Sequence, residues 1–416
     1  MGIELQVFLR WRVLLMGLLG FSSGLPLLLT GSTLSAWLSQ SGLSLAQIGI
    51  VSLVGLPYAL KILWAPLLDR FTLPLLGRRR GWMLAFQFGL GVATLAMSLL
   101  SPRVSARSGT VAVAVLAIVI AFFSASQDIV TDAYRTDLLA PKERAAGTAV
   151  FIFGYRMAML LTGGLALVVA EHFSWRVVYG LSALLMWLGM LATWQAPEPE
   201  RVRPPRSLQA AVVEPLYDYF RRPGALTILL FITLYRVGDT IANVMVMPFL
   251  LSLQFGPSEI GVVYKVVGIA ATILGTLCGG GLVARFGLFR SLLAFGLCQG
   301  LANLSYAALA LVGKHHLLLL LAVGLDNLCT GLAIAALDAF LMALCNRRYS
   351  AMQYALLVSA SGVVGRLLGG VSGVVAKQVG WSLFFFTTML LVLPASALLL
   401  RLRSTIREAD SDRNGN

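Results

Sequence analysis

The sequence predicts an all-α membrane protein: twelve transmembrane helices in two pseudo-symmetric six-helix bundles. Three observations predict it. Hydrophobic residues make up 58% of the 416 positions and charged residues only 12%, where a soluble domain has about 25% charged. Such a chain cannot cover a globule with polar surface, so most of it must face lipid. Twelve apolar stretches are each long enough to cross a bilayer, which takes about 20 residues. Finally, three pairs of short motifs recur at one spacing, roughly 210 residues or half the chain.

In chain order the spans are helix 1 (residues 13–38), helix 2 (46–68), helix 3 (82–101), helix 4 (110–133), helix 5 (145–170), helix 6 (175–195), helix 7 (224–252), helix 8 (258–283), helix 9 (288–311), helix 10 (315–344), helix 11 (350–376) and helix 12 (380–401). Nothing before Trp11 resembles a cleavable signal, so helix 1 is expected to remain in place. It offers Ser22, Ser23, Thr30 and Thr33, and Gly24 with Pro26 permits a local break. Gly20 and Gly24 read as close helix packing rather than a dimer contact. Helix 2 opens with I-G-I-V at Ile48 and closes near L-L-D-R-F with Arg70. Helix 8 repeats this as I-G-V-V at Ile260 and L-V-A-R-F with Arg285. Helix 5 carries G-Y-R ending at Arg156, and helix 11 carries V-G-R ending at Arg366. Parallel halves of this kind are a known transporter plan.

Residues 1–195 are therefore expected to form the first bundle and 224–401 the second. Residues 196–223, rich in proline and arginine, form a cytoplasmic linker, and 402–416 a flexible cytoplasmic tail. Within the linker, Leu208 to Phe220 mixes apolar and polar residues and is expected on the membrane surface.

The net charge of +14 is explained by placement. Most of the 32 lysines and arginines fall in segments on one side of the spans, among them Arg78, Arg79 and Arg80, Lys142 and Arg144, Arg201 to Arg222, and Arg347 and Arg348. This is the positive-inside bias, and it puts both termini in the cytoplasm. A nucleic-acid partner is not needed. The four cysteines lie unpaired in or next to predicted helices, and His172, His315 and His316 lie on an outer loop or at the outer end of helix 10. No disulfide, metal or cofactor is expected.

Charges inside the spans show a period of three. The acids are Asp128 and Asp132 on helix 4, Asp239 on helix 7, and Asp326 and Asp338 on helix 10. The bases are Lys61, Arg156, Lys265 and Arg366 on helices 2, 5, 8 and 11, plus Arg236 on helix 7. Helices 3, 6, 9 and 12 carry none in their interiors, as expected if one helix per repeat packs outside against lipid. Asp128 and Asp132 follow a long uncharged run and stack on one helix face. An ionisable group at membrane depth is expensive and marks an ion or substrate path. Asp128, then Asp239, and Asp132 are the candidates for carrying a proton; a structural ion pair of Asp128 with Arg156 or Lys265 is the alternative. Candidate solute contacts are Ser23, Gln127, Tyr155, Arg156, Arg236, Asn243, Lys265, Asp326 and Asn327. The bases suit an anionic solute, a guanidinium gripping a carboxylate with two hydrogen bonds.

The loop D-R-F-T-L-P-L-L-G-R-R-R-G-W, Asp69 to Trp82, resembles a signature of the major facilitator superfamily, and Ala284 to Arg290 is a degenerate copy lacking the acid. The resemblance implies a charged cytoplasmic gate made by Asp69, Arg70, Arg78, Arg79, Arg80 and Arg285. G-F-S-S-G-L-P from Gly20, W-A-P-L-L-D-R from Trp64, S-A-S-Q-D-I-V from Ser124, L-Y-R-V-G-D from Leu234, D-N-L-C from Asp326 and Q-Y-A-L-L from Gln353 narrow it. Together these resemble the AmpG muropeptide permeases over nearly all of residues 10–400. That resemblance implies proton-driven import of N-acetylglucosaminyl-1,6-anhydro-N-acetylmuramyl units, with or without peptide, across the bacterial inner membrane, for peptidoglycan recycling and the signal that induces β-lactamase. Two features depart from it. Some relatives carry further helices after the twelfth, whereas this sequence ends soon after Arg403, and Asp338 stands where an apolar residue is expected. The nearest rival is a transporter of another anionic solute, of acetyl-CoA or siderophore type. An intramembrane enzyme is the rival of another class, and the histidines outside the spans argue against it.

Overall fold

The structure, a computed structural model, describes residues 6–43, 52–73, 77–100, 107–199, 204–205, 207–403 and 406. Ten of its helices are long and apolar enough to cross a membrane. Helix 11, Ser350–Val379, is continuous as well. Helix 2 departs from the expected single rod. Among the described residues it is a chain of short pieces, Ser52–Gly55, Leu56–Leu60, Lys61–Leu63 and Ala65–Arg70. Pro57 and Pro66 each open a piece, since proline lacks the N–H that would continue the preceding turn. The I-G-I-V opening of helix 2 lies outside the described residues.

Helix 1 breaks, but later than Pro26. Trp11–Leu29 runs through Pro26 and stops at Thr30–Gly31, where Ser32–Gln40 begins. The Thr30 hydroxyl donates to the Pro26 and Leu27 carbonyls, 3.2 Å each, and caps the end. The other spans are Arg80–Ser98 (helix 3), Arg107–Leu138 (helix 4), Trp175–Gln195 (helix 6), Ala225–Ser252 (helix 7), Leu288–Val312 (helix 9) and His316–Leu344 (helix 10). Helices 5 and 8 each contain a widened turn, at Leu161–Leu165 and Tyr264–Gly268. Helix 12 is Trp381–Leu390 and Val392–Arg401.

Helix 3 packs on helix 6, and helix 9 on helix 12. They expose Phe88 and Val92, Leu184 and Leu188, Leu301, and Phe386 and Leu393, but helices 4, 5, 8 and 10 expose apolar side chains as well, so exposure alone does not set the four apart. Helix 1 lies along helix 5, and helix 8 along helix 10. Both seams are set by glycine. A Cβ on Gly154 would sit 1.9 Å from the Gly17 carbonyl oxygen, and one on Gly275 would sit 2.1 Å from that of Leu328. Gly20 and Gly24 meet the Phe151 and Tyr155 carbonyls in the same way, so their spacing does serve intrachain packing.

One apolar core spans both halves at the end where the linker lies, from Leu15, Tyr134 and Phe151 to Phe231, Phe340 and Tyr354. At the opposite end the cores are separate, one in each half. The halves are thus joined at the linker end.

The linker forms a helix, Leu208–Phe220, capped by Ser207. Leu208, Val213, Tyr217 and Phe220 are exposed, while Ala211, Pro215 and Tyr219 are buried against the protein. Glu214 accepts from the Tyr349 hydroxyl, and Asp218 accepts from Gln353 at 2.8 Å, Arg222 at 2.5 Å and Asn346 at 3.4 Å. Burial opposes ionisation of Asp218, but the Gln353, Arg222 and Asn346 donors outweigh it and hold its carboxyl below the usual value. A lowered folded value stabilises docking above the ordinary carboxylate pKa, about 3.9, and loses it as pH falls further. The protection of residues 208–220 against hydrogen exchange, after correction for the intrinsic rate at each pH, is therefore expected to be unchanged between neutral pH and mild acid and to fall only below that range.

Candidate functional site

The gate candidates separate into two groups. Asp69 is fully buried. It accepts from Arg78 at 2.7 Å, from Arg79 at 2.8 Å, and from the backbone N–H of Met352 at 2.9 Å and of Ala351 at 3.4 Å. Those amides open helix 11, so an acid of the first half sits on the N-terminal dipole of a second-half helix. Arg79, 1% exposed, also donates to Asp137 at 2.9 Å and to the Ser350 hydroxyl at 2.7 Å. Arg78 reaches the Arg348 carbonyl at 2.8 Å. Asp69, Arg78 and Arg79 therefore bridge the halves. Arg80 turns instead to the end of helix 6, donating to the Thr193 and Trp194 carbonyls. Arg70 and Arg285 stack on the adjacent Phe71 and Phe286. Glu198 receives the backbone N–H groups of Arg79 and Arg80 and holds the turn at Gly77, whose φ of +90° suits glycine.

Deeper in, Asp132 pairs with Arg135 at 2.5 Å and Lys61 at 3.8 Å. Arg135 also lies 4.0 Å from Asp338, 4.1 Å over the Phe151 ring, and 3.4 Å from the Tyr354 hydroxyl. Asp338 thus gains a role as a link between helix 10 and helix 4. Asp128 is partly buried, and its charged neighbours are Lys61, Asp132 and Arg135. Its pairing with Arg156 is not found. Arg156 touches Met159 Sδ at 3.8 Å beside Tyr155, and it has no ion pair among the described residues. The Lys265 and Arg366 side chains lie outside the described residues.

Two amide-centred clusters complete the interior. In the first half Gln87 donates to the Ser22 hydroxyl at 3.0 Å, and Gln127 donates to Ser22 and Ser23 at 3.4 Å each. In the second half the Gln299 amide nitrogen donates to Asp239 at 2.9 Å and to Asp326 at 3.1 Å. Asn243 donates to the same Asp239 oxygen at 2.7 Å, and Tyr306 to Asp326 at 3.3 Å. Asp239 is held by amides, not by the ion pair with Arg236 that their spacing allows. Asn327 sits apart, accepting from Thr272 at 3.1 Å. Gln87 and Gln299 escaped the sequence reading because only charges were tracked through helices 3 and 9. Their separation equals the motif repeat, which was the available signal.

A fold of two six-helix bundles, joined at one end around a charged interior, defines a membrane transporter. The chain belongs to the Major Facilitator Superfamily, whose sequence model matches residues 13–369. It is 46% identical over 406 residues to the anhydromuropeptide permease of Escherichia coli (strain K12), covering 97% of this chain and 82% of that one. Among solved structures it resembles the human organic anion transporter MFSD10 (TETRAN), with a TM-score of 0.68, 18% identity, and coverage of 94% and 98% of the two chains. It also resembles the proton:xylose symporter XylE, with a TM-score of 0.67, 11% identity, and coverage of 96% and 95%.

Proposed function

We propose that this chain imports anhydromuropeptides, N-acetylglucosaminyl-1,6-anhydro-N-acetylmuramyl units with or without peptide, from periplasm to cytoplasm, driven by protons, for peptidoglycan recycling. The observation that supports it is Arg156, a guanidinium inside the bundle with no carboxylate partner among the described residues, in a half that also carries the polar side chains Ser23, Gln127 and Tyr155. A solute bearing carboxylates, amides and hydroxyls matches those groups. The identity with the Escherichia coli permease supports the same substrate class. The protein acts as a monomeric carrier in the bacterial inner membrane, not as an enzyme, and needs no cofactor, metal or nucleic acid. Both termini face the cytoplasm, so the joined end is the cytoplasmic gate.

Asp128, Asp239 and Asp132 are the proton-coupling carboxylates. Asp132 is already paired, so Asp128 carries the coupling in the first half. Uptake of labelled anhydromuropeptide into proteoliposomes, with and without an imposed pH gradient, tests the reading. Accumulation of acetyl-CoA or a siderophore instead would transfer the function to another anion carrier. Asp128→Asn is expected to abolish gradient-driven uptake while solute exchange persists; full uptake in that variant rejects its role. Arg156→Gln is expected to raise KM for anionic solutes about tenfold or more, the loss of one charge-assisted hydrogen bond.

A further inference from the structure

The structure assigns a second protonation site, separate from Asp128, in which Asp239 and Asp326, bridged by the amide of Gln299, together hold one proton. The inference rests on the proton-coupled reading above and specifies the second-half site.

The two acids come from different helices, 7 and 10, and a third, helix 9, joins them. One nitrogen, Gln299 Nε2, lies 2.9 Å from an oxygen of Asp239 and 3.1 Å from one of Asp326. The carboxylate oxygens are then closer than about 6 Å, and like charges that near in a buried site cannot both ionise freely. No cation offsets the pair by direct contact among the described residues. Every hydrogen bond recorded to the acids is donated by an amide or a phenol: Asn243 and Gln299 to Asp239, and Gln299 and Tyr306 to Asp326. Tyr264 stands behind Tyr306, the hydroxyls 3.0 Å apart. Among the described residues the charged and titratable groups facing the pair are Arg236 and Tyr235 on helix 7, Tyr264 and Tyr306, and Cys329 on helix 10. Among the described residues Arg236 is the cation that faces Asp239, and it is exposed and makes no ion pair with it.

The amide between the acids has a free acceptor among the described residues, as Gln87 and Gln127 do in the first half. Gln299 is 6% exposed, and its Oε1 has no partner. An amide with a free acceptor can turn over and receive a hydrogen bond from a protonated carboxyl, so its orientation can follow the protonation of the acids it joins. Beside it, a cavity of about 20 Å³ is lined by Tyr235, Arg236, Asp239, Gln299 and Thr330 among others. That is room for a single water, with polar partners to hold it.

In the first half the corresponding amide, Gln87, contacts a hydroxyl instead of acids. The shared-proton unit is therefore confined to the second half, and its function is separable from that of Asp128.

The test uses full-length protein in proteoliposomes, with Asp239→Asn, Asp326→Asn, the double variant and Gln299→Leu. Infrared difference spectra between acid and neutral pH read the carboxyl band without any solute. Labelled anhydromuropeptide reads gradient-driven accumulation and, separately, counterflow exchange. Each single Asp→Asn variant is expected to remove the same carboxyl band and to lose accumulation by up to about 50-fold, the gradient one proton falling through 100 mV sustains, while exchange persists in Asp239→Asn. The double variant should be no worse than either single one, and Gln299→Leu should shift the titration of the band. Independent bands for the two acids, losses that multiply in the double variant, or full accumulation in Asp326→Asn overturns the proposal. If wild type moves no anhydromuropeptide yet both single variants lose one common band, the substrate reading fails and the shared site stands.

Discussion

Asp69→Asn is expected to unlatch the cytoplasmic end and largely abolish uptake. The carboxylate is fully buried and accepts four hydrogen bonds, two from arginines and two from the first turn of helix 11. Removing one partner of a buried ion pair is costly, about 3–5 kcal/mol, because the other charge is left behind. Here Arg79 would keep Asp137 but stay buried with half its compensation. A change of that size in a two-state equilibrium moves the populations more than about 100-fold. The native Cys345, partly buried at this end between helices 10 and 11, serves as reporter once Cys278, Cys298 and Cys329 are replaced by serine. Its reaction with a maleimide should quicken sharply in the variant. Labelling that is unchanged, with transport intact, removes Asp69 from the gate. Arg80→Gln, which breaks contacts to helix 6 only, should leave the labelling rate near wild type.

Gly154→Val is expected to be the most destabilising single change. The first carbon alone would meet backbone, the Gly17 carbonyl oxygen at 1.9 Å and its carbon at 2.8 Å. Backbone atoms of a packed helix cannot step aside as a side-chain tip can, so helices 1 and 5 must part. Overpacking of this kind costs about 3 kcal/mol or more. Thermal unfolding of purified protein measures it. Gly180→Ala, with nothing within 4 Å of the added carbon, is the control and should be neutral or stabilised by about 0.5–1 kcal/mol. Equal melting temperatures for the two variants would refute the seam.

Much of this architecture was legible before any coordinates. Lipid-length apolar runs, the side bias of arginine and the period of three among buried charges all follow from the cost of placing charge in hydrocarbon. Asp69, Arg78 and Arg79 were singled out only through the resemblance of their loop to the superfamily signature, and the structure adds that these three bridge the halves. What the sequence hid were contacts set by geometry across helices. Nothing local says that Asp69 reaches the amides of Ala351 and Met352, or that Arg80 faces Thr193 rather than the opposite half. Asp338 found Arg135 only through the joining of helices 4 and 10. Gln87 and Gln299 were passed over because an uncharged amide on an outer helix looks unremarkable until its neighbours are known. The break in helix 1 lies at Thr30–Gly31, beyond Pro26, whose missing N–H acts on the turn before it and leaves that turn helical.

The loop between the halves has one consequence for how the molecule is built. Glu198 caps helix 3 on one side, and Ser207 caps the linker helix on the other. A protease nick between those two positions would spare both anchors. Covalent continuity is then dispensable there, and two polypeptides made from separate reading frames should find each other in the bilayer and reassemble into a working carrier.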